Sequence, residues 1–265
     1  MKKSEINKYS KTKIFFSISS NPGIVGTVFY NRMFQKLNFN MIYKAIKPTN
    51  LKKLFISLRE LGVNGCSVSM PFKKTVIKYL DKVDPVCLKT NAVNTIINNG
   101  NKLYGYNCDF LAIKKIFKIY NINKKQRILI YGTGSVARII VYLLKKKKLN
   151  NFKIIGRNNN KIKKIQNDYK FKNLNFDKFD ILINASALGM KGFENKIPFS
   201  NDQIAKSKLI IDYVNKPSNT SLIKIAKKRK INYCSGIEIS SYQLFYQFKL
   251  YTGKKLPFKN FSNFK

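Results

Sequence analysis

Histidine is absent from this chain of 265 residues. Its absence excludes every acid–base mechanism that needs an imidazole, so Lys, Asp, Glu, Tyr or Cys must carry any such chemistry. The four cysteines lie far apart, at positions 66, 87, 108 and 234, and no CxxC pair occurs. Because zinc sites are usually built from Cys and His, we expect no metal site.

Long apolar runs are absent as well. No stretch of about 18 consecutive apolar residues occurs, so the sequence predicts no membrane span. The N-terminal MKKSEINKYSKTK is polar and lacks the apolar segment of a signal peptide. We therefore expect a cytoplasmic protein, in which disulfides would be unusual. With 44% hydrophobic residues, the chain can form one sizeable core or two smaller ones.

Acidic residues are few: 12 Asp and Glu stand against 52 Lys and Arg, a formal charge of +40. A nucleic-acid partner is one interpretation of this charge. The other is the codon usage of an AT-rich genome, which favours Lys, Asn, Ile, Phe and Tyr together. The lysines are spread over every segment, and even the run Lys145–Lys148 fits a solvated helix end. We therefore predict no specific nucleic-acid partner, although such a charge attracts anions at low salt.

The first hundred residues alternate predicted strands and helices. Apolar stretches predict strands at 12–18, 41–46 and 63–69, and helical spacing occurs at 25–38 and from Leu51, where Asn50 can cap the helix. The segment 92–107 indicates two strands joined around Asn99-Gly100, a strong tight-turn signal.

The pattern changes at about Asp109. A helix (109–119) leads to RILIY (127–131), an apolar run typical of a strand buried on both faces. A helix follows, and further strands are predicted at 152–156, 179–185 and 209–214, with a last helix at 237–251. Alternation of this kind predicts a parallel sheet.

Two glycines, Gly132 and Gly134, separate the strand RILIY from its helix. A dinucleotide fold needs a tight turn here, so that the pyrophosphate rests on the helix N-terminus. The third glycine of the usual motif is missing, and an ordinary strand–helix turn is the alternative. The next strand ends in GRNNNK, where Arg157, followed by Asn158 and Lys161, replaces the acidic residue typical of NAD sites. A cation here favours the 2′-phosphate of NADP, unless Arg157 is simply one more basic residue.

The stretch GCSVSMPFKK (65–74) places hydroxyl groups where a buried strand ends. Ser67 and Ser69 are followed by Pro71, which breaks the strand, and then by Lys73. Small polar side chains at the end of a buried strand are unusual.

Several motifs, in order along the chain, resemble the shikimate dehydrogenase family. They are VSMPFKK (68–74), AVNTI (92–96), GYNCD (105–109), YGTGSVAR (131–138), NASALGM (184–190) and GIEISSYQ (236–243). The resemblance covers roughly residues 14–255. It implies an α/β fold of two domains, an N-terminal α/β substrate domain and a Rossmann-type NADP-binding domain, with the active site in a cleft between them. The substrate domain would comprise residues 1–108 plus 237–265, and the NADP domain 109–236.

The resemblance also implies roles for individual residues. Lys73 and Asp109 would be the catalytic pair, although Lys73 could be a solvated lysine and Asp109 could also be a helix N-cap. The substrate residues would be Thr27, Ser67, Ser69, Asn94 and Gln243, of which Gln243 could instead be a polar residue on an amphipathic helix. The NADP residues would be Gly132, Gly134, Ser135, Arg157, Asn184, Ser186 and Gly236.

The implied reaction is the reversible NADPH-dependent reduction of 3-dehydroshikimate to shikimate in aromatic amino-acid biosynthesis. The chain departs from the family pattern at Thr27, near the place of a serine, at Tyr30, in place of a histidine, and at Cys108 and Ser69, each in place of a threonine. These departures, typical of a divergent branch of the family, affect turnover and the exact substrate more than the fold. A quinate/shikimate dehydrogenase-like enzyme of altered substrate or low activity is therefore the alternative. Methylene-tetrahydrofolate dehydrogenases share the two-domain plan, and a basic nucleic-acid-binding protein on the same fold is the nonenzymatic alternative. We expect a monomer or a homodimer.

Overall fold

The computed structural model of the protein describes residues 11–262, which divide into two compact units. The first unit contains the described residues 11–108 and 245–262, and the second contains 109–244. The sequence placed the second boundary at residue 237, whereas the units divide between Leu244 and Phe245, inside a continuous helix.

The first unit is built on a six-stranded mixed sheet of order β2-β1-β3-β5-β6-β4. Its strands are β1 Lys13–Ile18, β2 Met41–Ile46, β3 Gly65–Val68, β4 Lys82–Val83, β5 Thr95–Asn99 and β6 Lys102–Tyr106. The three strands β2, β1 and β3 are parallel, and β5 pairs antiparallel with β3 and β6. The predicted hairpin around Asn99-Gly100 is therefore present, with Gly100 at a φ of 57°.

The helices of the first unit pack on this sheet. They are α1 Val25–Lys36, α2 Leu51–Glu60, α3 Pro85–Thr90, the last part of α9 Gly236–Thr252, and α10 Lys259–Ser262, with a 3-10 helix at Thr75–Tyr79. Asn50 caps α2 as predicted, because its side chain accepts a hydrogen bond from Lys53 N. Pro71, predicted to break the strand, lies in a turn between β3 and the 3-10 helix.

An aromatic core joins the two chain segments of the first unit. Phe15 lies 4.5 Å from Tyr251 between ring centroids, Tyr30 stacks on Phe248 at 6.5 Å, and both pairs are buried. Residues from the two ends of the chain therefore pack together in a single hydrophobic core.

The second unit is a five-stranded, wholly parallel sheet of order β11-β10-β9-β7-β8. Its strands are β7 Ile128–Tyr131, β8 Phe152–Ile155, β9 Ile181–Asn184, β10 Leu209–Asp212 and β11 Asn232–Cys234. The helices are α4 Cys108–Ile119, α5 Ser135–Lys146, α6 Asn159–Tyr169, α7 Asn201–Ala205, α8 Ser221–Lys228 and the first part of α9. This is the Rossmann-type arrangement that the sequence predicted. Asp109 lies inside α4 as its second residue, so the interpretation of Asp109 as an N-cap was wrong.

Residues 11–262 contain neither a membrane-spanning helix nor a metal-binding cluster of side chains. No helix there has both the length and the apolar character needed to cross a membrane. No cluster of three His, Cys, Asp or Glu side chains could hold a metal ion. All four cysteines are buried, and no disulfide joins them.

Candidate active site

Backbone hydrogen bonds bring three segments of the first unit together where β1 and β3 end and β5 begins. Ser69 N donates to Ile18 O at 2.9 Å, which holds the end of β3 against the end of β1. Val68 N donates to Asn94 O at 2.8 Å, and Val93 N donates to Lys73 O at 2.9 Å. Ser69, Lys73 and Asn94, three of the predicted site residues, therefore lie at one edge of the sheet.

Asn94 is the most informative residue of this group. Its Oδ1 accepts hydrogen bonds from Cys108 N at 2.7 Å and from Thr95 Oγ1 at 2.9 Å. Its Nδ2 is buried and has no partner among the described residues. An unpaired buried donor costs about 1–3 kcal/mol, so such groups usually have a role. Asn94 Nδ2 is therefore a candidate donor to a ligand.

Ser69 and Lys73 supply the other polar groups at this edge. The Ser69 side chain is exposed, and Lys73 is half-buried with its backbone fixed by Val93. A hydroxyl, an ammonium group and an amide donor can together bind a ligand that carries hydroxyl and carbonyl oxygens.

Ser67 and Thr27 were also predicted to contact the substrate, but their hydroxyl groups have structural partners. Ser67 Oγ accepts from Tyr43 Oη at 2.7 Å and shares a second hydrogen bond of 2.7 Å with Tyr251 Oη. Thr27 Oγ1 accepts from Ala45 N at 3.1 Å and so ties α1 to β2. In this structure both side chains hold elements together.

Asp109 and Gln243, the remaining predicted residues of this group, belong to the second unit and are half-buried there. Asp109 lies in the first turn of α4, where the helix dipole favours a negative charge. Gln243 lies in α9, ahead of the boundary between the units.

The glycine loop of the second unit lies at the switch point of its sheet. The neighbours of β7 are β8 on one side and β9 on the other, and ligands of such sheets bind where the connections diverge. Gly132 follows β7 with a φ of 134°, and a Cβ there would lie 2.4 Å from Ala185 O. Only glycine therefore fits between these two strand ends.

Gly134 differs from Gly132 because its missing side chain leaves open space. A Cβ at Gly134 would meet no atom within 4 Å, and the residue is the N-cap of α5 without a side-chain hydrogen bond. Ser135 is the first residue of this helix. The loop thus presents the backbone of a helix N-terminus to an anion that approaches over Gly134, which fits a pyrophosphate.

The loop after β9 is held by a buried polar network. Asn184 Nδ2 donates to Leu188 O at 2.9 Å and to Asp212 Oδ1 at 3.0 Å, while Asn184 Oδ1 accepts from Ser186 Oγ at 2.7 Å. Thr220 Oγ1 donates to Asp212 Oδ2 at 2.6 Å. Burial raises the pKa of Asp212, and the hydrogen bonds from its neighbours oppose that shift.

This network changes the interpretation of Asn184 and Ser186. The Asn184 and Ser186 side chains shape the loop 185–190 through hydrogen bonds within the protein. We therefore expect a cofactor to contact this loop through its backbone. Asp212 and Thr220 were not predicted from the sequence. An aspartate that ends the apolar run LIID was the available signal, because a buried carboxylate must have partners.

The remaining cofactor residues lie near strand ends of the second unit. Arg157 is exposed just after β8, and Asn158 caps α6 by accepting a hydrogen bond from Lys161 N at 2.9 Å. Gly236 starts α9, where a Cβ would lie 2.2 Å from Val214 O. Close packing therefore explains Gly236, while Arg157 is available to a ligand.

A Rossmann-type unit with a glycine loop at its switch point, and a further α/β unit with an oriented buried amide, form the plan of two-domain nucleotide-dependent oxidoreductases. Within this class, the sequence profile of the shikimate dehydrogenase substrate binding domain matches residues 25–96. A shikimate dehydrogenase-like protein of Haemophilus influenzae is 33% identical over 94% of this chain and 93% of its own. The shikimate dehydrogenase (NADP(+)) of Aquifex aeolicus is 30% identical, with 87% of each chain covered.

A solved structure supports the same relationship. The structure of a shikimate 5-dehydrogenase-like protein superposes with a TM-score of 0.90 at 32% identity, and covers 96% of this chain and 97% of its own. The chain belongs to the shikimate dehydrogenase family, a family of oxidoreductases. The resemblance inferred from the sequence motifs is thereby confirmed.

Proposed function

We propose that this protein catalyses the reversible NADPH-dependent reduction of 3-dehydroshikimate to shikimate, a step of aromatic amino-acid biosynthesis. The observation that carries the proposal is the buried amide donor Asn94 Nδ2, which lies at the same sheet edge as Ser69 and Lys73. Shikimate is a small ring carboxylate with several hydroxyl groups. Its oxygens would give Asn94 Nδ2 the acceptor that residues 11–262 do not provide.

The departure at Cys108 is compatible with this function. The family has a threonine at this position, but the contact that Cys108 makes with Asn94 uses its backbone N–H, at 2.7 Å from Oδ1. A change of side chain leaves this hydrogen bond in place. The orientation of the Asn94 amide therefore does not depend on the missing threonine.

The second unit fits NADP. The N-terminus of α5 and the open space over Gly134 would hold the pyrophosphate, with Gly132 providing the tight turn. Arg157 would pair with the 2′-phosphate through charge-assisted hydrogen bonds. When bound, NADPH supplies the hydride.

Lys73 and Asp109 are our proposal for the acid–base pair. Reduction of a ketone builds negative charge on its oxygen, and the Lys73 ammonium group would donate the proton that turns this oxygen into a hydroxyl. In the reverse direction, neutral Lys73 would accept that proton. The chain has no histidine, and a lysine and a carboxylate are among the groups that can carry this task in its place.

The test is NADPH oxidation by the purified protein with 3-dehydroshikimate and, separately, with 3-dehydroquinate. We expect rapid oxidation with 3-dehydroshikimate and little with 3-dehydroquinate. A preference for 3-dehydroquinate would replace shikimate by quinate as the substrate. NADPH binding without turnover of either compound would reject the proposed reaction.

A further inference from the structure

A chain of buried hydrogen bonds runs through the core of the first unit to Asn94. Tyr30 Oη donates to Gln247 Oε1 at 2.8 Å, and Gln247 Nε2 donates to Thr95 Oγ1 at 2.8 Å. Thr95 Oγ1 in turn donates to Asn94 Oδ1 at 2.9 Å. The four side chains are all at most 2% exposed, so water does not compete for these bonds.

Each member of this chain sets the direction of the next bond. Burial raises the pKa of Tyr30 well above its usual value, so its hydroxyl keeps its proton and acts as a donor. This donation assigns the Gln247 oxygen to Tyr30 and leaves the Gln247 nitrogen facing Thr95. Because Thr95 Oγ1 then accepts from Gln247, its single hydrogen is left to donate. Its two acceptors are Asn94 Oδ1 at 2.9 Å and Cys108 Sγ at 3.3 Å, and the amide oxygen is the stronger acceptor of the two.

A second hydrogen bond joins Gln247 to Asn94. Gln247 Nε2 donates its other hydrogen to Asn94 O, with 3.3 Å between the nitrogen and the oxygen. Gln247 therefore contacts the Asn94 backbone directly and the Asn94 side-chain amide through Thr95. An inverted Gln247 amide would present its oxygen to Thr95 and draw the Thr95 hydrogen away from Asn94.

We infer that Gln247, oriented by Tyr30, is a positioning residue that keeps Asn94 Nδ2 directed at the substrate. The inference rests on the proposed function for the identity of that substrate. It also gives a role to Tyr30, the residue that stands in place of the family's histidine.

The experiment uses Gln247→Met and Tyr30→Phe in the full-length protein. Each removes hydrogen-bonding atoms while keeping a side chain of similar size. We expect the KM for 3-dehydroshikimate and the Kd for shikimate to rise by about tenfold, the equivalent of one lost hydrogen bond. The KM for NADPH should stay at the wild-type value, because Asn94 is assigned to the substrate alone.

Tyr251→Phe is the matched control, since it also removes a buried phenol hydroxyl from this core, but one that bonds to Ser67. We expect its KM for 3-dehydroshikimate to match the wild type. Thr95→Val should raise the KM as Gln247→Met does, and Thr95→Ser, which keeps the hydroxyl, should restore it.

A substrate-independent measurement separates this inference from the proposed function. The side-chain amide ¹H–¹⁵N signals of Asn94 should shift in Gln247→Met and Tyr30→Phe, and stay in place in Tyr251→Phe. If they shift while the wild type fails to bind shikimate, the positioning role holds and the substrate is wrong. Unchanged Asn94 signals in Gln247→Met, or an equal rise in KM for Tyr251→Phe, would overturn the inference.

Discussion

At the scale of single residues, Lys73 carries the chemistry of the proposed reaction. We expect Lys73→Ala to lower kcat by about a hundred- to ten-thousandfold, the usual contribution of a general acid–base group. The fold should persist, because Lys73 is only half-buried and alanine keeps the backbone oxygen that accepts from Val93 N. Steady-state kinetics and a thermal melt measure the two effects.

Lys74→Ala is the control for this variant, since Lys74 is the adjacent lysine and is exposed. Its kcat should equal that of the wild type. Near wild-type turnover in Lys73→Ala would show that Lys73 has been given the wrong role.

Arg157 is the residue on which the preference for NADPH should depend. Loss of a charge-assisted hydrogen-bond partner is worth roughly 1.5–3 kcal/mol, so Arg157→Ala should raise the KM for NADPH by about one to two orders of magnitude. The KM for NADH should barely change, because NADH lacks the 2′-phosphate. Lys163→Ala, an exposed lysine in α6, should leave both constants unchanged. Equal use of NADPH and NADH by the wild-type enzyme would argue against the assignment.

Alanine in place of Gly134 should weaken NADP binding, whereas alanine in place of Gly132 should lower the stability of the fold. Gly134→Ala meets no neighbouring atom and has a φ of −79°, so its melting temperature should match the wild type while its Kd for NADP rises. Gly132→Ala places a Cβ 2.4 Å from Ala185 O at a positive φ, so it should unfold at a lower temperature. Wild-type NADP affinity in Gly134→Ala would remove this loop from the proposed cofactor site.

Sequence patterns predicted some residues of the candidate site and not others. Ser67 and Ser69 stand two positions apart and appear equivalent in the predicted strand 63–69. In the structure Ser69 follows the end of β3 and is exposed, whereas Ser67 lies within β3 and bonds to two tyrosines. The second tyrosine, Tyr251, comes from the far end of the chain. Long-range partners of this kind leave no local pattern, which is also why Gln247 and Asp212 were not predicted.

At the scale of secondary-structure elements, Asp180 ties three strand starts together. The Asp180 carboxylate accepts a hydrogen bond from Arg127 N at 2.9 Å, and the Asp180 backbone N–H donates to Arg127 O at 2.8 Å. The backbone oxygen of Asp180 accepts from Lys208 N at 2.8 Å. Partial burial raises the pKa of Asp180, but the hydrogen bonds and charge of Arg127 and the charge of Lys208 lower it by more.

A depressed carboxylate pKa stabilises the folded state above the pKa of the unfolded chain, about 3.9, and this stability is lost as pH falls through the folded pKa. Asp180→Asn should therefore reduce the free energy of unfolding by about 1–2 kcal/mol near neutral pH. The difference in unfolding free energy between the wild type and Asp180→Asn should become smaller below about pH 4. Urea unfolding at a series of pH values measures it.

Asp202→Asn provides the comparison for Asp180→Asn. Asp202 pairs with Lys206 on an exposed face of α7, and such surface pairs contribute little. Its unfolding free energy should therefore stay near the wild-type value at every pH. A deficit in Asp180→Asn that persists unchanged in acid would show that the carboxylate charge is not its cause.

The elements that sequence patterns predicted are the long or strongly apolar ones. Strands such as β7 and β9 are continuous apolar runs, and α2 has both an N-cap and helical spacing. The elements that were not predicted individually include α3 with six residues and β11 with three. Segments this short contain too few residues to show a period, and tertiary packing determines them.

At the scale of the whole molecule, the charge of +40 can be tested on one preparation. If it reflects genome composition, binding to two unrelated DNA sequences should be weak, equal, and steeply reduced between about 50 and 200 mM salt. Turnover should survive at the higher salt, because short hydrogen bonds hold the substrate. Tight binding to one sequence at high salt would favour a selected nucleic-acid partner. The expectation of a monomer or homodimer stays a prediction.

The division of the first unit between two chain segments has a consequence for synthesis. Phe15 and Tyr30 leave the ribosome early, but their partners Tyr251 and Phe248 follow only after all of residues 109–244. Until Tyr251 and Phe248 have been made, the aromatic side chains of Phe15 and Tyr30 remain exposed. Exposed apolar surface of this kind recruits chaperones or aggregates. A released chain that ends at residue 244 should therefore carry a folded second unit and a first unit that chaperones still hold. Release of the last helices would then complete both the core and the hydrogen-bond chain to Asn94 in a single late event.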